Sequence, residues 1–471
     1  MPETIKADIC VIGAGSGGLS VAAGAVQMGA KVVLLEGGKM GGDCLNYGCV
    51  PSKALIAAAA QAHAMTAGET LGVSPVTPKV DYAAAMEHVR QTIETIAPVD
   101  SQERFEGLGV RVIREWGRFV SDREVQAGPY AIRARRFVIA TGSSPMVPAI
   151  PGLEDVPYLT NETLFGLREK PAHLLIIGGG PIGIEMAQAH RRLGCEVTVI
   201  EGETALGRDD PEAAALVLEK LRAEGVRIVE GAKAQKVSGG SDGITVETGQ
   251  GAFTGSHLLV AVGRKVNTDR LDLHKAGVET DGGVVVGDNL RSTNRRIYAV
   301  GDAAGRQQFT HVAGYHAGVV VRALLFGLPA KAKDAHLPRA TYTDPELAQV
   351  GLTEAEARTE YGGRLEVVRT DYAENDRAIA TGRTTGFVKV MIVGGRPVGA
   401  TLVGAEAGDL AATWSLVIAN RLKMSAVSAM VAPYPTLAEL NKRAAGAYFS
   451  PKLFDNPSVK RVVGLVQRLL P

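Results

Sequence analysis

Two cysteines separated by four residues, Cys44 and Cys49 in the stretch GGDCLNYGCVPSKALIAAAA, hold the clearest chemistry in this chain. If the backbone between them curves, they are near enough to form a local disulfide. Pro51 and the alanine-rich run after it predict a helix that begins close to Cys49. A helix N-terminus lowers the pKa of a neighbouring thiol, and the thiolate suits both disulfide exchange and charge donation to an electron-poor ring. Two other readings stand beside this one: a pair of inert buried thiols, and half of a zinc site. Zinc needs further ligands, whereas Cys10 and Cys195 fall in apolar, strand-like runs, and Cys195 reads as a small core residue. No metal site is expected. Four cysteines in 471 residues are too few for a secreted disulfide scaffold, so a close pair points to catalysis rather than stapling.

A repeat announces the elements that must position this pair. ADICVIGAGSGGLSVAAGAVQMGAKVVLLEGG reads strand, glycine-rich turn, alanine-rich helix and a second strand ending in an acid. HLLIIGGGPIGIEMAQAHRRLGCEVTVIEGE repeats that order, with Gly13, Gly15 and Gly18 matched by Gly178, Gly180 and Gly183, and Glu36 matched in register by Glu201. The first glycine of each copy allows a tight turn, the second lets backbone approach a pyrophosphate, and the third lets helix pack against strand. The helix N-terminus then holds the phosphates. The terminal acid accepts hydrogen bonds from ribose hydroxyls and repels a 2′-phosphate, which favours NAD(H) over NADP(H) if the second copy binds a nicotinamide. One such motif is compatible with a glycine-rich turn in another α/β fold; two in register predict two dinucleotide-binding units.

Elsewhere, Asp81 to Leu108 reads as helical, and Val110 to Ala140 as several strands ending at ATGSSP. Val226 to Gly263 reads as strands with glycine turns, and RRIYAVGDAAG as a strand ending at Gly301 and Asp302. Beyond about Leu337 the composition changes to TYTDPELAQVGLTEAEA, a strand-rich stretch around FVKVMIV, and helices up to PYPTLAEL. The predicted class is α/β, with two Rossmann-like dinucleotide-binding domains and a C-terminal α+β domain.

Composition removes other functions. With 51 basic and 50 acidic residues, the formal charge of +1 gives no electrostatic case for nucleic acid or an anionic membrane. No apolar stretch reaches the length of a transmembrane helix, and charged residues run straight into DICVIG without a signal-peptide core, so a cytoplasmic protein is expected. The basic, amphipathic KRVVGLVQRLL reads as a docked or frayed tail, with a membrane-surface role as the alternative.

The set GAGSGG, CLNYGCVPSK, ATGS, GGGPIGIE, AVGRKVN, YAVGDAAG and PYPTLAE, in this order and over nearly all of the chain, resembles the pyridine nucleotide-disulfide oxidoreductases of the dihydrolipoamide dehydrogenase, glutathione reductase and mercuric reductase group. The resemblance implies FAD on the first repeat unit and the nicotinamide on the second. It divides the chain into an FAD-binding domain (1–150 and 270–336), an NAD(P)-binding domain (151–269) and a dimerisation domain (337–471) of a homodimer. It implies that Cys49 faces the flavin as the charge-transfer thiolate, that Cys44 attacks substrate, and that Lys53 stands beside the flavin's reactive nitrogen paired with Glu185. Asp302 resembles the acid on the FAD ribityl chain and Glu36 the acid on its adenosine ribose, with Thr141 and Gly142 of ATGS among the cofactor contacts.

The chain departs from its disulfide-reducing relatives near the C-terminus. Those enzymes carry a His-Pro with a glutamate five residues after the histidine, donated to the site by the partner subunit. Here the positions are Tyr434, Pro435 and Glu439, and the last histidine in the chain is His336. Mercuric reductases place a tyrosine there, but they also use a C-terminal cysteine pair, and no cysteine follows Cys195. Three functions follow: reduction or oxidation of a dithiol, disulfide or thiol-bound acceptor; electron transfer from NADH to a quinone, metal ion or redox protein; and non-catalytic redox sensing.

Overall fold

Strand Glu3–Ile12 runs down the middle of a seven-stranded sheet, flanked in parallel by Val32–Leu35 and Tyr130–Ile139, with Arg111–Ile113 at the outer edge. In the computed structural model, which describes residues 2–241 and 243–470, all four residues of Val32–Leu35 are buried. That is the signature of a parallel strand covered on both faces, and it explains the unbroken apolar run VVLL. Strand Tyr130–Ile139 serves two neighbours. Its second half pairs in parallel with Ile297–Ala299, so RRIYAVGDAAG returns from far along the chain to the first sheet. Its first half continues as an antiparallel meander with Glu124–Ala127 and Gly117–Ser121.

The second repeat builds its own parallel sheet, in the order Arg227–Val229, Glu196–Ile200, His173–Ile177 and His257–Val260. The glycine-rich stretch between supplies the antiparallel strands Ala234–Gly240, Gly243–Thr248 and Gly251–Gly255. The third unit is a five-stranded antiparallel sheet, from Pro338–Thr341 through Glu346–Gly351, Arg396–Gly404 and Phe387–Val393 to Leu365–Asp371. Helices Ala407–Ala419 and Glu439–Phe454 cover it, and the fully buried Trp414 at their junction donates its indole N–H to Asn441 Oδ1 at 2.8 Å. Cys10 and Cys195 are buried in strand and strand entry, and burial pushes the Cys195 thiol up to about 11, which suits core packing rather than reactivity.

Two segments differ from the sequence reading. Asp81 to Leu108 is not one helix: Tyr82–Ile96 ends at a 3₁₀ turn containing Pro98, and Gln102–Gly107 starts afresh with Ser101 as its cap. Proline cannot donate to the helical ladder, and the serine hydroxyl satisfies the new N-terminus by accepting from Arg104 N. The second difference is the tail, which forms a helix at Pro457–Leu469 with no buried residue, so it is not docked on its own chain.

Helix Cys49–Ala64 positions the site. It lies between Tyr82–Ile96 and Pro181–Arg192, the helix that opens from the second glycine turn, and so joins the cysteine segment to the second dinucleotide unit.

Candidate active site

The two glycine turns are built alike. Gly13 and Gly178 have φ of +106° and +114°, in the region that favours glycine. A Cβ on Gly18 would sit 1.9 Å from the Gly13 carbonyl oxygen, and one on Gly183 2.0 Å from that of Gly178, so each third glycine lets the helix close on its turn. A Cβ on Gly180 would meet nothing within 4 Å, and one on Gly15 only the Gly42 Cα at 3.9 Å. The space at these second glycines is where a pyrophosphate would approach backbone. The acids repeat the parallel. Glu36 accepts from the amides of Ala14 and Gly38, both at 2.7 Å, and Glu201 from those of Gly179 and Glu203 at 2.6 and 2.8 Å. Each carboxylate is thereby fixed at the mouth of its turn with lone pairs left for ribose hydroxyls.

Between the units lies a cavity of about 590 Å³, joined at Gly15, Asp43 and Ser143 to a second of about 460 Å³ that runs past Glu36. Cys44, Cys49, Lys53, Glu185 and Asp302 line the first. Gly13, Glu36, Thr141 and Gly142 line the second. A long ligand lying across the first glycine turn, with one end at Glu36 and the other against the cysteines, fits this continuous space. The chain's residues fit FAD on that observation: a cradle that side chains would fill, a helix N-terminus at Ser16, and thiols at the far end.

Cys44 rides on the short helix Gly42–Asn46, and Cys49 is the first residue of Cys49–Ala64. Both are free thiols. They have opposite acidities. The Cys44 thiol donates to Cys49, and that hydrogen bond, with help from the Thr310 hydroxyl at 3.3 Å and the Lys53 ammonium, lowers Cys49 to about 6 against the cost of burial. The same hydrogen bond and burial raise Cys44 above the usual thiol range. Near neutral pH the pair holds one thiolate, on Cys49, and one thiol, on Cys44.

Lys53 lies one turn further along that helix. Its ammonium is 2.9 Å from Glu185 Oε2 and 4.4 Å from the centre of the Tyr342 ring, while the other Glu185 oxygen accepts from the Tyr342 amide at 2.9 Å. Glu185 is buried, so its charge is held by two partners from two other units. Asp302 is half-buried beside Ser143, whose hydroxyl donates to it at 2.5 Å; desolvation raises its pKa. Arg264 braces the same corner, bonding Ser143 and lying 3.1 Å from Asp43. Thr141 turns its hydroxyl to the carbonyl of Asn267 at 2.7 Å, which leaves backbone rather than side chain facing the cavity from ATGS.

Tyr434 and Glu439 are not brought to this cavity. Tyr434 is 71% exposed, and its hydroxyl donates to Asp376 at 3.1 Å rather than to Glu439. The Asp376 carboxylate raises the phenol's pKa further. Glu439 begins helix Glu439–Phe454, with a buried Oε2 that has no hydrogen-bond partner among the described residues.

Thr310, Tyr342, Ser143 and Arg264 were not singled out from sequence. Tyr342 stood in the quoted TYTDPE and Ser143 in ATGSSP, but neither carries a spacing signal; only packing of distant elements reveals them. Trp116 is another, lying across Gly37 with the Arg270 guanidinium 4.9 Å over its ring at the far end of the second cavity.

Residues 7–317 match the family model for pyridine nucleotide-disulphide oxidoreductases, and residues 337–445 match the dimerisation domain of that family. The chain is 34% identical over 448 residues to a mercuric reductase of Lysinibacillus sphaericus, covering 93% of this chain and 82% of that one. It is similar to the solved Cu(II) complex of the HOCl-induced flavoprotein disulfide reductase RclA from Escherichia coli, with a TM-score of 0.84 and 26% identity over 94% and 99% of the two chains. LpdA from Mycobacterium tuberculosis shares the fold, with a TM-score of 0.86 at 24% identity over 93% of this chain and 99% of that one.

Proposed function

The chain belongs to the pyridine nucleotide-disulphide oxidoreductases, FAD-dependent enzymes that use NAD(P)H, and from that premise we propose that Cys44 and Cys49 are its redox-active pair and that its substrate is a dithiol/disulfide couple or a thiol-bound acceptor. The observation that carries this reading is the polarised pair itself, with a Cys49 thiolate at a helix N-terminus and a Cys44 thiol on the same cavity. FAD, when bound, supplies passage of an electron pair between a nicotinamide and these sulfurs.

The side chains divide the work. Glu36 and the turn Gly13, Gly15 and Gly18 hold the adenosine end and pyrophosphate of FAD, with Thr141 and Gly142 beside them and Asp302 on the ribityl chain. Gly178, Gly180, Gly183 and Glu201 hold the nicotinamide cofactor, whose redox end would enter past Glu185. Cys44 exchanges with substrate: once deprotonated, its sulfur attacks one sulfur of a disulfide and displaces the other as a thiol that takes up a proton. The Cys49 thiolate then attacks Cys44, releasing the second thiol and leaving a Cys44–Cys49 disulfide, so two electrons reach the acceptor. The FAD unit spans 1–150 and 270–336, the nicotinamide unit 151–269 and the dimerisation unit 337–471. The return of strand Ile297–Ala299 to the first sheet supports that division. The dimerisation domain supports a homodimer. Tyr434 and Glu439 reach the site from the partner subunit, a reading supported by neither residue lining the cavity of its own chain and by the exposure of Tyr434.

An acceptor screen on the holoenzyme with NADH tests the assignment. Turnover of disulfides that disappears in Cys44→Ser supports it. Acceptor turnover that survives Cys44→Ser sinks it in favour of electron transfer to a quinone, metal ion or redox protein. Family membership favours an enzyme over a sensor.

Two further results are expected. NADH should exceed NADPH in kcat/KM by at least about tenfold, because the fixed Glu201 carboxylate pairs with hydroxyls and repels a 2′-phosphate. Equal constants for the two, or a preference for NADPH, overturn the role of Glu201. Lys53→Met should slow reduction of the flavin by NADH by about 10²-fold, since it removes the one ammonium of the Lys53–Glu185–Tyr342 cluster and leaves a buried carboxylate uncompensated. Stopped-flow reduction at the wild-type rate would refute it.

A further inference from the structure

We propose that helix Pro457–Leu469 docks the enzyme on a membrane surface rich in anionic lipid. The helix lies beyond residue 445, where the match to the family's dimerisation domain ends. At about 100° per residue its apolar side chains gather on one side: Val459, Val462, Val463, Val466 and Leu469, with Leu465 at the edge. Val459 is half-buried, whereas the others are exposed, from 40% at Val466 to 72% at Leu469, and Phe454 in the preceding helix adds another exposed ring. Leaving so many neighbouring apolar side chains in water is costly, at roughly 25 cal/mol per Å².

Charge identifies the occupant. Every ionisable side chain after Asp455 is cationic: Lys460, Arg461 and Arg468. Lys460 flanks the apolar stripe on one side, Arg461 and Arg468 on the other, and the chain as a whole is nearly neutral at +1. Local positive charge bordering an apolar face is what an interfacial helix needs: the stripe enters the boundary between headgroups and acyl chains, and the long cationic side chains reach back to the phosphates. The helix is about 20 Å long, and no helix among the described residues is long and apolar enough to cross a membrane, so the helix would lie in the interface rather than span it. A homodimer presents two copies, and tethering turns two weak contacts into a stronger one.

Flotation of the full-length holoenzyme with vesicles tests this. Binding is expected to vesicles of phosphatidylcholine mixed with phosphatidylglycerol, at least about tenfold above that to phosphatidylcholine alone, and to be released by high salt. Val462→Asp with Val466→Asp should abolish binding while NADH oxidation and the sedimenting mass stay unchanged; both side chains are exposed, so folding is not at stake. Lys460→Glu with Arg461→Glu and Arg468→Glu should remove the preference for anionic lipid. Absence of binding to anionic vesicles, or binding by the double aspartate variant equal to wild type, overturns the proposal. If instead the double aspartate variant sediments as a monomer, the stripe belongs to a second copy of the chain and the membrane assignment fails. Failure of vesicle binding leaves the Cys44 assignment untouched, since that is read by disulfide turnover in solution.

Discussion

Cys49→Ser is expected to remove a long-wavelength absorption band that the wild-type holoenzyme shows on two-electron reduction, and to lower disulfide turnover by at least about 10³-fold. The band needs a thiolate against an electron-poor ring, and Cys49 is the thiolate. Its lowered pKa fixes the sign with pH: the band is present above about 6 and fades as pH falls through that value. Cys44→Ser should behave differently. It also stops disulfide exchange, but it keeps the Cys49 sulfur and with it the band. Donation from Cys44 is the largest influence holding Cys49 down, so Cys44→Ala, which removes the donor, should move the midpoint upward. The titration belongs to the pair, so the midpoint is read as that of the pair in wild type and as that of Cys49 alone in Cys44→Ala. A band that persists in Cys49→Ser would place the thiolate elsewhere.

What sequence made legible, and what it did not, follows from the range of each signal. The glycine turns were readable because the physics that demands glycine acts within the turn: the Gly13 and Gly18 contacts and the Gly178 and Gly183 contacts lie within six residues of one another. The acids were readable because a whole unit repeats, and Glu36 and Glu201 sit at matching strand ends. Cys44 and Cys49 were readable from their spacing and the helix that follows. The Lys53–Glu185 pair spans 132 residues, and only family resemblance joined it in advance. Tyr342 closes that pair from a third unit, and Thr310 reaches Cys49 across 261 residues. No local pattern marks them, since a tyrosine just past the end of a strand or a threonine opening a helix has many structural uses. The break at Pro98 was a local signal, a proline that cannot donate to the helical ladder, inside a stretch that reads as helical on both sides. The tail was the opposite case: its amphipathic pattern was plain, while whether it would find a partner face was a question for packing.

Tyr434→His is expected to raise turnover of dihydrolipoamide by about 10²-fold or more, within the 10²- to 10⁴-fold that a positioned general base contributes, and to leave reduction of the flavin by NADH nearly unchanged. Oxidation of a dithiol through Cys44 requires a group that takes a proton and returns it near neutral pH. Cys44 itself is a poor source of thiolate, because donation to Cys49 and burial both raise its pKa. On the reading proposed above, Tyr434 takes the place of a base, but an ordinary phenol titrates near 10 and is mostly protonated at neutral pH. Here the bond to Asp376 raises it further, since the carboxylate accepts the phenol's proton and its negative charge opposes ionisation. Wild-type turnover of dihydrolipoamide should therefore be slow. Histidine brings an imidazole that titrates near neutral pH, and the expected gain requires Glu439, whose buried Oε2 has no hydrogen-bond partner among the described residues, to accept its other N–H. A Tyr434→His, Glu439→Gln double variant should lose most of the gain, because a neutral amide orients the imidazole without stabilising its charged form. Brisk turnover of dihydrolipoamide by the wild type, or no gain in Tyr434→His with an intact dimer, would show that proton transfer at this position does not limit the reaction.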